Sequence, residues 1–196
     1  CEDGTVDRGI TVNAIFARTI VPGSKVADYF EDGYVWAADE HGDLEKVYSK
    51  GYRSYLCVEA AGTGAGTVRV CAAHFSLPGQ TSIFDKNDAQ DNECGVLKSL
   101  LSEKSQVPVI FAGDLNRQDG GCKPASMTGL HDLEMSADDR KSDKSDGFQH
   151  VYWTKSSLHR TDCGYSYDVE HTDHEGFKVT LATSGGTSDS CIRVLK

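Results

Sequence analysis

The chain has no apolar run approaching the length of a membrane span, no Cys-x-x-Cys pair, no internal repeat and no excess of positive charge. Each absence removes a class. Without roughly 18–20 consecutive apolar residues no helix crosses a bilayer. Without paired cysteines a zinc ribbon or a thioredoxin-like site has no ligands at the usual spacing. With 30 acidic against 20 basic residues and a net charge of -10, a protein that wraps nucleic acid through a broad basic surface is excluded. A nuclease whose local cations handle one phosphate at a time is not. No secretory leader is visible and the first residue is a cysteine, so the expectation is a mature or trimmed product.

What is present fits one globular domain over residues 1–196, with 38% hydrophobic residues to build a core. Seven cysteines, at 1, 57, 71, 94, 122, 163 and 191, are many for a reducing compartment. Scattered as they are, they read as disulfides of a secreted, extracellular or periplasmic protein. Cys1 is left over: it pairs with a segment absent here, bonds a partner chain, or carries a lipid.

The most informative stretch is Val107-Pro-Val-Ile-Phe-Ala-Gly-Asp-Leu-Asn116. Its apolar residues do not alternate, so as a strand it is buried on both faces, in the middle of a sheet. Period-two geometry then directs Asp114 and Asn116 one way and Leu115 into the core. Two oxygen-bearing side chains at a strand end suit a hard cation and a phosphate. Taken alone, the stretch is better explained as a strand closed by an Asx-type turn.

In chain order, residues 8–22 are rich in Ile, Val and Thr and read as a strand pair or one long strand, ended by Pro22-Gly23. Residues 24–50 are mixed, with Tyr34-Val35-Trp36 a short strand candidate. Tyr52 to Ala60 and Thr67 to Phe75 form a hairpin around a glycine-rich loop. Centring it on Gly64 places Cys57 opposite Cys71, within reach of a disulfide. From Asp88 to Lys104, Cys94, Leu97, Leu100 and Leu101 recur at helical spacing, so the middle of the chain is a β-α-β unit. Cys94 and Cys122 are a second candidate pair, and Cys163 and Cys191 remain for each other. Residues 117–147 read as a long polar surface excursion, followed by strands at Phe148–Trp153 and Val179–Ala182.

The polar residues that end or break strands are His74, Asp114, Asn116, His150, Asp173 and His174. Strand ends that each supply one or two such groups are how a sheet-edge active site is assembled. Asp173-His174 offers a carboxylate beside an imidazole, suited to a metal or a general base. The competing account is a solvated acidic loop, since Glu170, His171 and Glu175 are neighbours. A zinc site from His171, Asp173 and His174 matches no closed tetrahedral spacing. His74 taken singly reads as a structural histidine.

Taken together these motifs resemble the second part of the endonuclease/exonuclease/phosphatase superfamily, the fold of pancreatic-type deoxyribonuclease. Asn13-Ala-Ile-Phe-Ala-Arg18 is similar to the strand before that family's mid-chain turn. Ala73-His-Phe-Ser76 resembles its Thr-His-Leu element, Gly113-Asp-Leu-Asn116 its Gly-Asp-Phe-Asn motif, and Thr172-Asp-His174 its closing Ser-Asp-His. The four come in the family's order across about residues 8–182. The resemblance implies an α+β fold, a two-layered β-sandwich flanked by helices (four layers, α/β/β/α), incomplete at its N-terminus. It also implies Mg2+, or Mn2+ or Ca2+, at one end, with Asp114 and Asp173 as metal ligands. Asp114 would then orient or deprotonate the attacking water, and Asn116 would hold that water and a phosphate oxygen. His174 would be general base or phosphate ligand, completed by Asp173, and His74 would donate to the phosphate or leaving group. Asn13 and His150 would join Asn116 in binding substrate.

Two departures bear on this. The family's opening strands carry an asparagine and a metal-binding glutamate for which the residues before Gly9 leave no room. Gln149 also stands where the family has an aspartate, with Asp146 nearby. The expectation is a secreted metal-dependent phosphoester hydrolase, foremost a nuclease acting on DNA. Alternatives are a phosphatase or phospholipid phosphodiesterase of the same fold, or a non-catalytic toxin-subunit or binding domain that has lost its metal.

Overall fold

A computed structural model describes residues 13–30, 34–38, 44–48, 53–62, 66–78, 89–103, 106–131, 147–161, 165–167, 176–183 and 191–195. The strands are β1 (Val26–Tyr29), β2 (Tyr34–Ala38), β3 (Leu44–Tyr48), β4 (Ser54–Gly62), β5 (Gly66–His74), β6 (Val109–Asp114), β7 (Met127–His131), β8 (Gln149–Thr154), β9 (Leu158–Arg160), β10 (Tyr165–Tyr167), β11 (Gly176–Thr183) and β12 (Cys191–Leu195). One helix, α1 (Ala89–Ser102), lies between β5 and β6.

Six strands form a mixed sheet in the order β1-β4-β5-β6-β8-β7. β5 and β6 run parallel, joined through α1, and the other neighbours are antiparallel. A parallel pair needs a crossover, and the run of Cys94, Leu97, Leu100 and Leu101 supplies a helix to make it. β11 joins β12 on one side and β9 and β10 on the other as a second sheet, and β2 pairs with β3.

Alternation along β5, β6 and β8 divides the core in two. Cys71, Phe111 and Tyr152 face α1 and pack with Phe30, Phe75, Leu97, Leu100 and Leu101. Val68, Ile110, Val151 and Trp153 face the second sheet and pack with Leu158, Val179 and Leu181. Each fully buried leucine contributes about 2 kcal/mol of transfer free energy. The fold is therefore an α+β sandwich, helix on sheet on sheet. Among the described residues α1 is the only α-helix, so the outer helical layer of a four-layer arrangement is not among them. Disulfides join Cys57 to Cys71, which face each other across the β4–β5 hairpin, and Cys94 on α1 to Cys122. No described helix is long and apolar enough to cross a membrane.

Three local expectations are corrected. The described part of residues 8–22 is not a strand. Ile20 makes a single bridge to Ala60, Phe16 is almost fully exposed, and the first strand among the described residues begins at Val26. Residues 19–21 and β1 both run beside β4, but the turn at Pro22-Gly23, with Gly23 at φ 75°, separates them. The polar excursion 117–147 contains β7, an edge strand whose Met-Thr-Gly-Leu-His pattern carries little strand signal. Within the stretch Val107–Asn116 the strand runs from Val109 to Asp114, so Asp114 is its last residue and Asn116 lies beyond it. Cys1 and Cys163, and with Cys163 its pairing to Cys191, lie outside the described residues.

Gly113 leaves no room for a side chain beside β5. A Cβ there would lie 2.2 Å from the Ala73 carbonyl oxygen and 2.8 Å from Cζ of Phe111. Gly113→Ala is expected to lower the free energy of unfolding by about 1–3 kcal/mol or more, read from urea denaturation. A wild-type midpoint would contradict this packing.

Candidate functional site

Strand register brings the polar strand ends to one edge of the larger sheet. His74 pairs with Asp114 across β5–β6, and Asp114 with Gln149 across β6–β8. Directly paired residues share a face, so these three side chains stand together on the side of the second sheet. Gly113 and His150, one step along, point toward α1.

The Asp114 carboxylate is 5% exposed and serves as a structural acceptor. One oxygen receives the Asn116 backbone N–H at 2.8 Å, an Asx turn, and the other the Gln149 side-chain amide at 2.7 Å. The turn places Asn116 at φ 49°, the left-handed region that asparagine tolerates better than most residues. That breaks the period-two alternation expected to carry past Leu115. Asn116 instead folds back, its amide donating to the Phe75 carbonyl at 2.8 Å. The turn that the sequence offered as a rival account is thus the device that sets Asn116 beside the end of β5.

Helix α1 locks the same two loops from the other side. Gln90, inside its first turn, donates to the carbonyls of Ser76 and Asn116, each at 2.8 Å. The Glu93 carboxylate, fully buried, accepts from the Ser76 N–H at 2.8 Å and the Ser76 hydroxyl at 2.6 Å. Gln90 and Glu93 extend the Cys94–Leu97–Leu101 stripe backwards at helical spacing. Sequence reading stopped at the apolar part of that stripe. A glutamine and a glutamate on the buried face were the available signal.

Arg53 was also missed. It stands one residue before β4, where its carbonyl accepts the Phe30 N–H at 2.9 Å and prolongs the β1–β4 ladder to this edge. Burial lowers the pKa of its guanidinium, and the charges of Glu93 and Asp114 oppose that shift. Both carboxylates therefore act on one half-buried cation.

Asn13 donates to the carbonyl and the hydroxyl of Ser54 at 2.7 and 2.9 Å, anchoring its segment to the start of β4. His150 is 1% exposed. Its Nε2 lies 2.7 Å from the Arg117 carbonyl and must carry the proton, so Nδ1 accepts from the Tyr152 hydroxyl at 3.1 Å. With both ring nitrogens bonded inside the protein and the ring on the α1 side, His150 is remote from the face that carries Asp114. Desolvation pushes its pKa down, with the Arg117 carbonyl, Asp114 and Asp119 pulling up and His131 adding to the depression. Beyond Asn116, Arg117 bonds Asp119 through two nitrogens and Asp91 at 3.0 Å. The hydrogen bond from Arg117 holds the Asp119 carboxyl below its usual range. Asp173 and His174 lie outside the described residues, as does Asp146.

The donors near Asp114 suit a hard cation in kind. Asp114 offers carboxylate oxygens, and the Gln149 side-chain carbonyl beside it is buried with no hydrogen-bond partner. Among the described residues no three His, Cys, Asp or Glu side chains form a metal cluster. Magnesium is commonly held by one or two carboxylates together with water and substrate phosphate.

No family model matches the chain, and no curated protein does. The structure is similar to that of an endonuclease/exonuclease/phosphatase from Beutenbergia cavernae, with 17% identity and TM-score 0.45 over 86% of this chain and 53% of that one. It is also similar to D. rerio TDP2 humanized by 14 mutations, with 15% identity and TM-score 0.48 over 68% of this chain and 62% of that one. The human Nocturnin catalytic domain with bound sulfate is a third, with 10% identity and TM-score 0.45 over 82% and 73%. The chain thus spans between half and two thirds of the first two.

The depressed pKa of His150 has a signed consequence. The unfolded chain binds the imidazole proton first as pH falls, so folding stability is complete above the unfolded value of about 6.5 and declines below it, at up to about 1.4 kcal/mol per pH unit. Asp119, with its lowered pKa, loses its contribution only below the ordinary carboxylate range. Urea unfolding between pH 7 and 5 should show the decline, and His150→Gln should flatten it. Equal slopes in the two proteins would refute the buried neutral imidazole.

Proposed function

We propose that this chain is a divalent-metal-dependent phosphoester hydrolase of the endonuclease/exonuclease/phosphatase type, in the first instance a secreted nuclease. The observation that carries the reading is the meeting of His74 and Asp114, at the ends of adjacent parallel strands, with Asn116 in the turn that follows, at one edge of the larger sheet. In-line attack of water on a phosphoester needs a group to orient that water, donors for the phosphoryl oxygens, and a partner for the leaving group. Asp114 is assigned to the water and its proton, oriented by the Gln149 amide. Asn116 and His74 are assigned to the phosphoryl oxygens or leaving group. His174 is assigned as general base or phosphate ligand. Asp114 and Asp173 would hold Mg2+, Mn2+ or Ca2+, which supplies positive charge to a phosphoryl oxygen when bound. Asn13, whose amide nitrogen donates to Ser54, is assigned to substrate with Asn116, whereas His150 fits less well because both ring nitrogens are bonded and register turns it toward α1.

A second reading rests on charge. A net charge of -10 repels a polyanion more than a small ester, which supports a phosphatase or a phosphodiesterase acting on small substrates.

One experiment separates them. Plasmid DNA and a chromogenic phosphodiester are incubated with the protein and Mg2+, with and without chelator. The nuclease reading expects both to be cleaved only with metal, and His174→Ala to reduce both rates about a hundredfold or more. Intact plasmid with a cleaved small ester would transfer the assignment to the second reading. No cleavage of either substrate in any divalent metal would leave the non-catalytic domain.

A further inference from the structure

We propose that Gln90 is a positioning residue for the reaction at this site, which rests on the hydrolase reading above. Its side-chain amide fixes the turn that carries Asn116 against the end of the strand that carries His74. β5 and β6 run parallel and end side by side at His74 and Asp114. The ladder continues for one more bond, from the Phe75 N–H to the Asp114 carbonyl at 2.9 Å. Past that bond, side chains join the two loops. The Asn116 amide donates to the Phe75 carbonyl at 2.8 Å. The Gln90 amide nitrogen donates to the carbonyls of Ser76 and Asn116, each at 2.8 Å.

Two carbonyl oxygens that converge on one nitrogen carry like partial charges, and a donor between them is what makes the approach favourable. An amide NH2 has two N–H bonds, one for each carbonyl. Gln90 is 6% exposed, so bulk water has little access to its place, and a carbonyl left without its donor there is penalised. The helix holds Gln90 in turn. One turn further along α1, Glu93 accepts from the N–H and hydroxyl of Ser76, and Cys94 is disulfide-bonded to Cys122 beyond Asn116. The amide is thus a strut from a fixed helix into the seam between two loops. Asn116 depends on it because its backbone sits at φ 49°, where a residue other than glycine is kept by its surroundings. The Asp114 carboxylate holds its N–H side at 2.8 Å, and Gln90 holds its carbonyl side. With the carbonyl released, the turn relaxes and the side chain assigned to the phosphoryl oxygens or leaving group shifts relative to His74. A misplacement of about 1 Å lowers a rate about a hundredfold, while ground-state binding, shared with other contacts, changes less.

The test compares wild type, Gln90→Met and Leu100→Ala in full-length protein. It measures initial rates on a chromogenic phosphodiester with Mg2+, and backbone amide exchange residue by residue by NMR. Methionine keeps the length of the side chain and removes its donors. Leu100→Ala removes apolar packing from the same helix but no hydrogen bond to either loop, and so controls for lost stability. Gln90→Met should lower kcat about ten- to a hundredfold with KM within about threefold of wild type. It should also speed exchange of the Asn116 and Phe75 N–H groups ahead of the other β5 and β6 amides. Leu100→Ala, assayed where it is folded, should keep the wild-type kcat. A wild-type kcat in Gln90→Met, a rise in KM alone, or an equal fall of kcat in both variants would overturn the positioning role while the hydrolase reading stands. If Gln90→Met does not fold, Gln90→Asn decides, since its amide is one methylene short of bridging both carbonyls. A lowered kcat at unchanged KM supports the role, and a wild-type kcat overturns it. A wild-type protein that cleaves nothing with any divalent metal would overturn the hydrolase reading, and this inference with it.

Discussion

A single buried carboxylate organises the polar end of this protein. Asp114 is the last residue of a strand with neighbours on both sides, and its two oxygens reach in two directions. One closes the Asx turn that sends Asn116 back to the end of β5, and the other holds Gln149 at the start of β8. Removing that acceptor would leave a buried amide and a left-handed asparagine without their partners, a penalty of about 1–3 kcal/mol for each unsatisfied group. The catalytic candidates are therefore held by the same bonds that end the strands.

Around this carboxylate the fold supplies rigidity from three sides. The second sheet packs on the face that carries His74 and Asp114. Helix α1 grips the loops after β5 and β6 through Gln90 and Glu93, and the Cys94–Cys122 disulfide ties the helix to the loop beyond Asn116. A site whose supporting residues are locked by packing and hydrogen bonds needs little reorganisation when charge develops.

Much of this was legible in the sequence, for physical reasons that can be named. A non-alternating apolar run ending in Gly-Asp-Leu-Asn reads as a central strand with a polar end because burial on both faces removes alternation. The hairpin register followed from its glycine-rich loop, and the helix from leucine spacing. Other features were hidden. Residues 13–22 have the composition of a strand but lie beside β4 with one bridge, since composition reports a preference and not a partner. The direction of Asn116 was misread because alternation was carried one residue past the strand into a positive φ. Gln90 and Glu93 lie on the buried stripe of α1, but only tertiary packing reveals that they reach the loops after β5 and β6. His150 looked like a ligand because it ends a strand, yet register places it on the opposite face from Asp114.

The proposal that most needs testing is metal-assisted hydrolysis of a phosphoester at the edge that holds Asp114. The most direct measurement is the initial rate of phosphodiester hydrolysis as a function of Mg2+ concentration, for wild type and for Asp114→Asn, at a temperature where circular dichroism shows both proteins folded. The account predicts a saturable metal dependence in wild type and a rate lower by about a thousandfold in the variant at every metal concentration. A variant that hydrolyses at the wild-type rate with the same metal response would contradict it.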